Sequence, residues 1–227
     1  MTTSPASSGS DLRERISANL QVVRQRIAST GRDVDSVRVV AVTKTFSPEM
    51  VRAAIEVGLR DFGENYVDEL CAKRDMAPEG VWHFLGALQS NKIARAARCA
   101  DVLSGVSRER ELTKLASLAS TSMLDVQVDF TQRADRNGAP PSRVPELVSR
   151  ARELNLKVRG LMVVAPPDAD LARAAFRQTV ELADELGLVE RSMGMSEDLE
   201  MACELGTTEV RVGRALFGPR TYAGGLA

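Results

Sequence analysis

VVAVTKTFSP, residues 39–48, decides how this chain is read. Val39, Val40, Ala41 and Val42 form an unbroken apolar run, as in a strand covered on both faces within a parallel sheet. Ser47 is then placed to cap a helix and Pro48 to take its first turn. Between strand and helix stands Lys44. Desolvating an ammonium is costly, so a lysine is rarely buried without a partner. The stretch therefore supplies a structural unit, strand–loop–helix, and a chemical question.

The unit recurs. Short apolar runs at 37–44, 61–66, 81–86, 102–106, 124–130, 158–165, 190–195 and 209–213 alternate with helical patterns at 48–57, 67–74, 91–99, 109–120, 144–154, 169–186 and 197–205, and a last short helix begins near Ala215. Strands alternating with helices pair in parallel through right-handed crossovers, and eight such units within about 200 residues suit one closed (β/α)8 barrel of the TIM type. An open doubly wound sheet is the alternative, but no strand is followed by GxGxxG. Leu12, Ile16, Leu20, Val23 and Ile27 add an amphipathic helix before the barrel, closed by Thr30 and Gly31. The domain reading is a flexible leader at 1–10 and a single α/β barrel domain at 11–227.

Composition narrows the partners. The 227 residues are 44% hydrophobic, and 30 basic side chains nearly cancel 31 acidic ones, which argues against nucleic acid or an anionic membrane surface. MTTSPASSGS at the N-terminus has no apolar h-region, and no run approaches the length of a membrane span, so a soluble cytoplasmic protein is expected. Cys71, Cys99 and Cys203 are odd in number and distant in sequence, which suits reduced thiols; with His83 the sole histidine, no zinc site is expected.

In a closed barrel, chemistry gathers at the C-terminal ends of the strands. The chain has five lysines against twenty-five arginines, and only Lys44 projects from the end of an apolar strand. Lys73 and Lys114 read as exposed helical positions, Lys92 opens a helix, and Lys157 precedes a strand at the opposite end. Apolar surroundings would lower the pKa of Lys44 and supply a neutral amine for Schiff-base formation. The plainer reading is a side chain reaching out of the barrel mouth to water.

A second stretch, RSMGMSEDLEMACELGTTEVRVGRALFGPR at 191–220, covers the last two strands and their loops, where barrels of this kind often hold a phosphate. Ser192, Gly194 and Ser196 line one loop. Gly213 lies in the other, between Arg211 and Arg214, where the missing side chain lets backbone amides approach a ligand. Ser196 is equally read as the cap of a helix beginning at Glu197, and Glu197 and Asp198 would repel an anion if turned inward. A Schiff-base lysine after strand one and a phosphate cradle after strands seven and eight bracket one small ligand, and pyridoxal 5′-phosphate combines the required aldehyde and phosphate.

VAVTKTFSPEMVRAAIEVGLRDFGENYVDEL, WHFLGALQSNK, VRGLMVVAP and SMGMSEDLEMACELGTTEVRVGRALFG together resemble the pyridoxal phosphate homeostasis proteins, the YggS/PROSC family, whose fold type III barrel is similar to the N-terminal domain of alanine racemase. The resemblance implies that Lys44 carries pyridoxal 5′-phosphate as a Schiff base and that Asn65 and His83 line the pocket. It implies that Ser196, with the Gly213 and Arg214 amides, holds the phosphate, and that Arg211 faces the pyridine nitrogen or the phosphate. Two places depart from the family pattern: Arg214 replaces a threonine or serine, and the loop VDFTQRADRNGAPP lacks the usual arrangement of an asparagine and Lys-x-Gly.

The resemblance implies a carrier in vitamin B6 homeostasis that holds the cofactor reversibly, with apo-enzymes as its candidate recipients; with no extra domain read from the sequence to build an interface, a monomer is the default expectation. A low-activity amino-acid racemase is the alternative. Racemisation needs an acid/base group on each face of the substrate carbon. Of the two tyrosines, Tyr66 and Tyr222, neither is an evident second group, and the sequence ends at Ala227, directly after the eighth unit, where alanine racemase continues into another domain. A cofactor-free lysine aldolase would leave the phosphate loops unexplained unless its substrate were phosphorylated.

Overall fold

The eight apolar runs become eight short parallel strands that close on themselves in the order of the sequence, β1 pairing with both β2 and β8. This is a (β/α)8 barrel. A computed structural model describes residues 9–131, 133 and 136–219. Its elements are α1 Gly9–Ser29, β1 Arg38–Val42, α2 Pro48–Glu56, β2 Asp61–Glu64, α3 Val67–Met76, β3 Val81–Phe84, α4 Ile93–Cys99, β4 Val102–Val106, α5 Glu109–Ser117, β5 Met123–Val128, α6 Val144–Glu153, β6 Val158–Val163, α7 Ala169–Glu185, β7 Glu190–Ser192, α8 Leu199–Glu204, β8 Glu209–Val212 and α9 Arg214–Phe217. Gly9 and Ser10, read as leader, begin α1; the rest of the leader lies outside the described residues, as does Tyr222.

Several strands end earlier than the apolar runs that announce them. β1 stops at Val42, so Lys44 stands in the turn beyond it. Apolar runs outlast the hydrogen-bonded ladder because the first residues past a strand remain covered by neighbouring loops; Thr43, for example, is fully buried outside β1.

Burial on the two faces of the strands is of opposite kinds. Phe62, Trp82, Phe84, Leu103 and Val126 belong to the main apolar core with the helices, and Phe62 and Trp82 stack at 5.2 Å between ring centroids. The lower interior of the barrel is instead a charged network. Arg159 donates to both oxygens of Asp125 at 2.9 and 2.8 Å and to Glu209 at 2.9 Å, while Arg38 spans Glu209 and Glu190 at 3.2 Å each. Such interiors usually hold branched apolar side chains. A bulge in β6 makes the exception possible: Leu124 pairs with Val158 but Asp125 with Gly160, and the extra residue, Arg159, turns onto carboxylates that would otherwise be buried together. Burial raises Asp125 above its usual carboxylate value. Burial would also raise Glu209, but His83, Arg159 and hydrogen bonds outweigh it and hold Glu209 down to about 2.

Two readings from the sequence need correction. Cys71 and Cys99 form a disulfide with Cα atoms 5.2 Å apart. Their separation of 28 residues is about one strand–helix unit, which in a barrel returns the chain to the neighbouring helix; distance along the sequence is a poor guide to distance in space. Cys203 is free and buried, and burial pushes its thiol up to about 11. Lys73, read as an exposed helical position, is 5% exposed because it lies on the inner face of α3, where it meets Glu69 of the same helix, Glu64 at the end of β2 and the Thr43 carbonyl just past β1.

Candidate functional site

A cavity of about 610 Å³ opens at the C-terminal end of the barrel, within the range of small-ligand pockets. Lys44, Asn65, Ser196, Arg211, Gly213 and Arg214 all line it. The closure of β8 onto β1 brings the two halves together: Val40 pairs with Arg211 and Ala41 with Val212, so Gly213 follows beside the end of the strand that leads to Lys44. A Cβ at Gly213 would lie 3.3 Å from the carbonyl oxygen of Val42, and a larger side chain would crowd that end of β1.

Arg211 supplies the cavity with a buried cation. Its Nη1 donates to the Ser192 carbonyl at 2.6 Å and to Ser192 Oγ at 2.8 Å, and its Nη2 donates to the Val163 carbonyl at 2.7 Å. These acceptors are neutral, and Ser192 in turn donates to Glu209 at 2.8 Å. Burial pulls the Arg211 guanidinium below its ordinary value against the opposing pull of Glu209, Asp198 and Asp125. Arg211 is thus fixed as a cavity-lining donor that no carboxylate neutralises by direct contact among the described residues.

The opposite wall is a loop. Ser196 does not cap a helix at Glu197: α8 begins at Leu199, and Asp198 turns back to accept from the Met195 amide at 2.6 Å. The Ser196 carbonyl accepts from Arg26 of α1 at 2.9 Å. Gly194 holds φ at +93° where a Cβ would lie 2.6 Å from that of Ala202, so this part of the loop requires glycine. The Arg214 side chain, although it borders the cavity, pairs with Glu197 near the surface.

His83 is not among the residues lining the cavity. Strand alternation sends Trp82 and Phe84 to the outer core and His83 inward, but below the cavity, where Nε2 lies 3.1 Å from Asp61 and Nδ1 has no hydrogen-bond partner among the described residues. Tyr66 is 55% exposed and does not line the cavity either. Sequence reading missed Arg136, which joins the lining and donates from Nη1 to the carbonyls of Val164 at 3.2 Å and Ala165 at 3.4 Å. Arg136-Asn137-Gly138 keeps a basic residue two places before a glycine, a signal available in the loop where Arg-x-Gly stands in place of Lys-x-Gly.

Also missed were the groups that hold Lys44. Thr45 has φ of +67°, a left-handed conformation costing a β-branched residue about 1–3 kcal/mol unless its surroundings enforce it. Its amide donates to Glu69 at 2.8 Å, and Lys73 bridges Glu69, Glu64 and the Thr43 carbonyl at 2.8, 2.7 and 2.8 Å. Burial raises the pKa of Glu64, against the pull of Lys73 and Thr43.

Residues 13–221 match the family model described as alanine racemase, N-terminal domain. A pyridoxal phosphate homeostasis protein of Pseudomonas aeruginosa is 38% identical, over 94% of this chain and 97% of its own length. The chain belongs to the pyridoxal phosphate homeostasis family. Among solved structures, PipY of Synechococcus elongatus with pyridoxal phosphate bound is 34% identical with a TM-score of 0.73, covering 86% of this chain and all of PipY. Alanine racemase of Corynebacterium glutamicum, 19% identical with a TM-score of 0.72 over 93% of this chain and 62% of its own, shares the fold.

Proposed function

We propose that this chain holds pyridoxal 5′-phosphate reversibly through a Schiff base on Lys44, and that its role is the carriage and buffering of that cofactor. The observation that carries the reading is the meeting, in one cavity, of Lys44 with the Ser196 and Gly213 loops and the buried Arg211 guanidinium. The residues suit the group: an amine for its aldehyde, two loops with hydroxyl and backbone donors for its phosphate, and a fixed cation for an acceptor atom. Membership of the family, and a relative whose structure has pyridoxal phosphate bound, support it. Bound pyridoxal phosphate supplies an aldehyde carbon and an electron-withdrawing ring.

Holding is favoured over racemisation by what lines the cavity. Among the described residues no tyrosine, histidine or cysteine lines the cavity, and its two carboxylates are engaged at the Ser196 loop, Glu197 with Arg214 and Asp198 with the Met195 amide, which disfavours either as a second proton carrier opposite Lys44. Arg211 donates hydrogen bonds but cannot readily accept one, so it would oppose protonation of a pyridine nitrogen placed against it. Apo-enzymes as recipients, a monomeric state and cytoplasmic residence belong to the same reading; no helix among the described residues is long and apolar enough to cross a membrane.

The test is spectroscopic. Protein mixed with pyridoxal phosphate should gain a visible absorption band, and borohydride should fix the added mass on Lys44; Lys44→Ala should show neither. Incubation with L-alanine in deuterated water should leave the α-proton unexchanged, whereas rapid exchange with loss of chirality would establish the racemase instead.

A further inference from the structure

We propose that Glu69 and Lys73 of α3 are positioning residues for Lys44, holding the turn that presents its amine to the cavity and so setting how fast that amine condenses with an aldehyde. This rests on the reading of Lys44 as the cofactor lysine.

The argument is one of backbone geometry. Two peptide groups flank Lys44, and one polar group of each ends on the same cluster. The carbonyl of the first, from Thr43, accepts from Lys73 Nζ at 2.8 Å; the amide of the second, from Thr45, donates to Glu69 Oε2 at 2.8 Å. Lys73 joins the two ends through its contacts of 2.8 Å to Glu69 and 2.7 Å to Glu64, and Thr43 Oγ1 donates to Glu64 at 2.7 Å. With both peptide groups tied, the remaining freedom of Lys44 is largely that of its side chain. The left-handed Thr45 is the mark of this constraint, since a β-branched residue keeps such a conformation only where its surroundings impose it.

None of Thr43, Glu64, Glu69 or Lys73 lines the cavity, so their influence on a ligand passes through Lys44. Lys73 and Glu64 are buried, which keeps the cluster out of competing water; Glu64 Oε2 is a buried oxygen with no hydrogen-bond partner among the described residues. A reacting group held in place avoids searching for its attack geometry, and small misplacements slow reactions severely.

The experiment uses the full chain, free and with pyridoxal phosphate. In Glu69→Ala, the Thr45 amide of the ligand-free protein should exchange with deuterium at least about tenfold faster, and the visible band should form about tenfold more slowly, while far-ultraviolet circular dichroism is unchanged. Glu69→Gln keeps an acceptor for the Thr45 amide and should restore most of both rates. The proposal is overturned if Glu69→Ala behaves as wild type in both measurements, or if Thr45 exchanges faster while condensation keeps its wild-type rate. Should Glu69→Ala not fold, Lys73→Arg decides: it retains a buried cation but moves its N–H groups, so slower condensation supports the clamp and an unchanged rate refutes it. Wild-type protein that never acquires borohydride-fixed mass on Lys44 would instead defeat the proposed function, a result seen before any variant is made.

Discussion

The two rims of the cavity are fastened differently. The Lys44 rim is tied to groups that are largely removed from solvent: Lys73 is 5% exposed, Glu64 fully buried, and only Glu69, at 31%, reaches water. The opposite rim is tied from outside by α1, where Arg26 grips Glu200 with both Nε and Nη2 at 2.6 Å and reaches the Ser196 carbonyl, and Asn19 donates to the Leu216 carbonyl at 2.8 Å. Arg26 and Glu200 are 28% and 40% exposed. An ion pair in water is screened and contributes little, whereas breaking a buried one strands a charge. The same kind of contact therefore makes one rim stiff and leaves the other adjustable, an arrangement suited to a ligand fixed at one end that must also leave.

The comparison can be broken most forcefully at Lys73. Lys73→Met should destabilise the fold by about 3–5 kcal/mol, since Glu64 would be left buried without its cation; a urea titration near neutral pH checks this, and a loss comparable to a surface substitution would erase the distinction between the rims. The next effect concerns the helix that carries the clamp. Cys71→Ser, which opens the link between α3 and α4, should cost about 2–4 kcal/mol in oxidised protein and almost nothing in reductant, as read from thermal midpoints beside a thiol count.

The floor beneath both rims should respond to acid. Glu209 is held at about 2 against an ordinary value of 4.5, so its contribution to stability is fully present above about pH 4.5 and is lost as pH falls toward 2. Urea titrations at pH 6, 4 and 3 should show that decline, and Glu209→Gln should flatten it. Smallest is Arg26→Ala, expected to cost about 1 kcal/mol or less and to lose even that difference in high salt. A larger, salt-insensitive loss would mean that the Ser196 rim is as firmly held as its counterpart.

The sequence made the outer architecture legible because parallel strands and amphipathic helices write their burial into residue type. The run before Lys44 and the spacing of Leu12, Ile16, Leu20, Val23 and Ile27 needed no partner to be understood. Gly213 and Ser196 were recognisable as loop residues at the productive end. What stayed hidden was pairwise. Lys73 looks exposed until Glu64 and Glu69 are known to face it, and Cys71 looks solitary until the next helix brings Cys99 alongside. His83, expected from the resemblance to line the pocket, faces inward but is not among the lining residues, because depth along a barrel axis depends on stagger between strands, which alternation within one strand does not record.

The bulge in β6 bears on how this gene can drift. Deleting Arg159 would restore regular pairing between β5 and β6, yet it would leave Asp125 and Glu209 without the cation between them. An added residue nearby would displace Gly160, where even a methyl group would strike the Glu190 backbone. Length polymorphism should therefore be absent from this strand while accumulating freely in solvent-facing connections, so that an insertion or deletion here acts as a null allele whatever the chemistry of the residue involved.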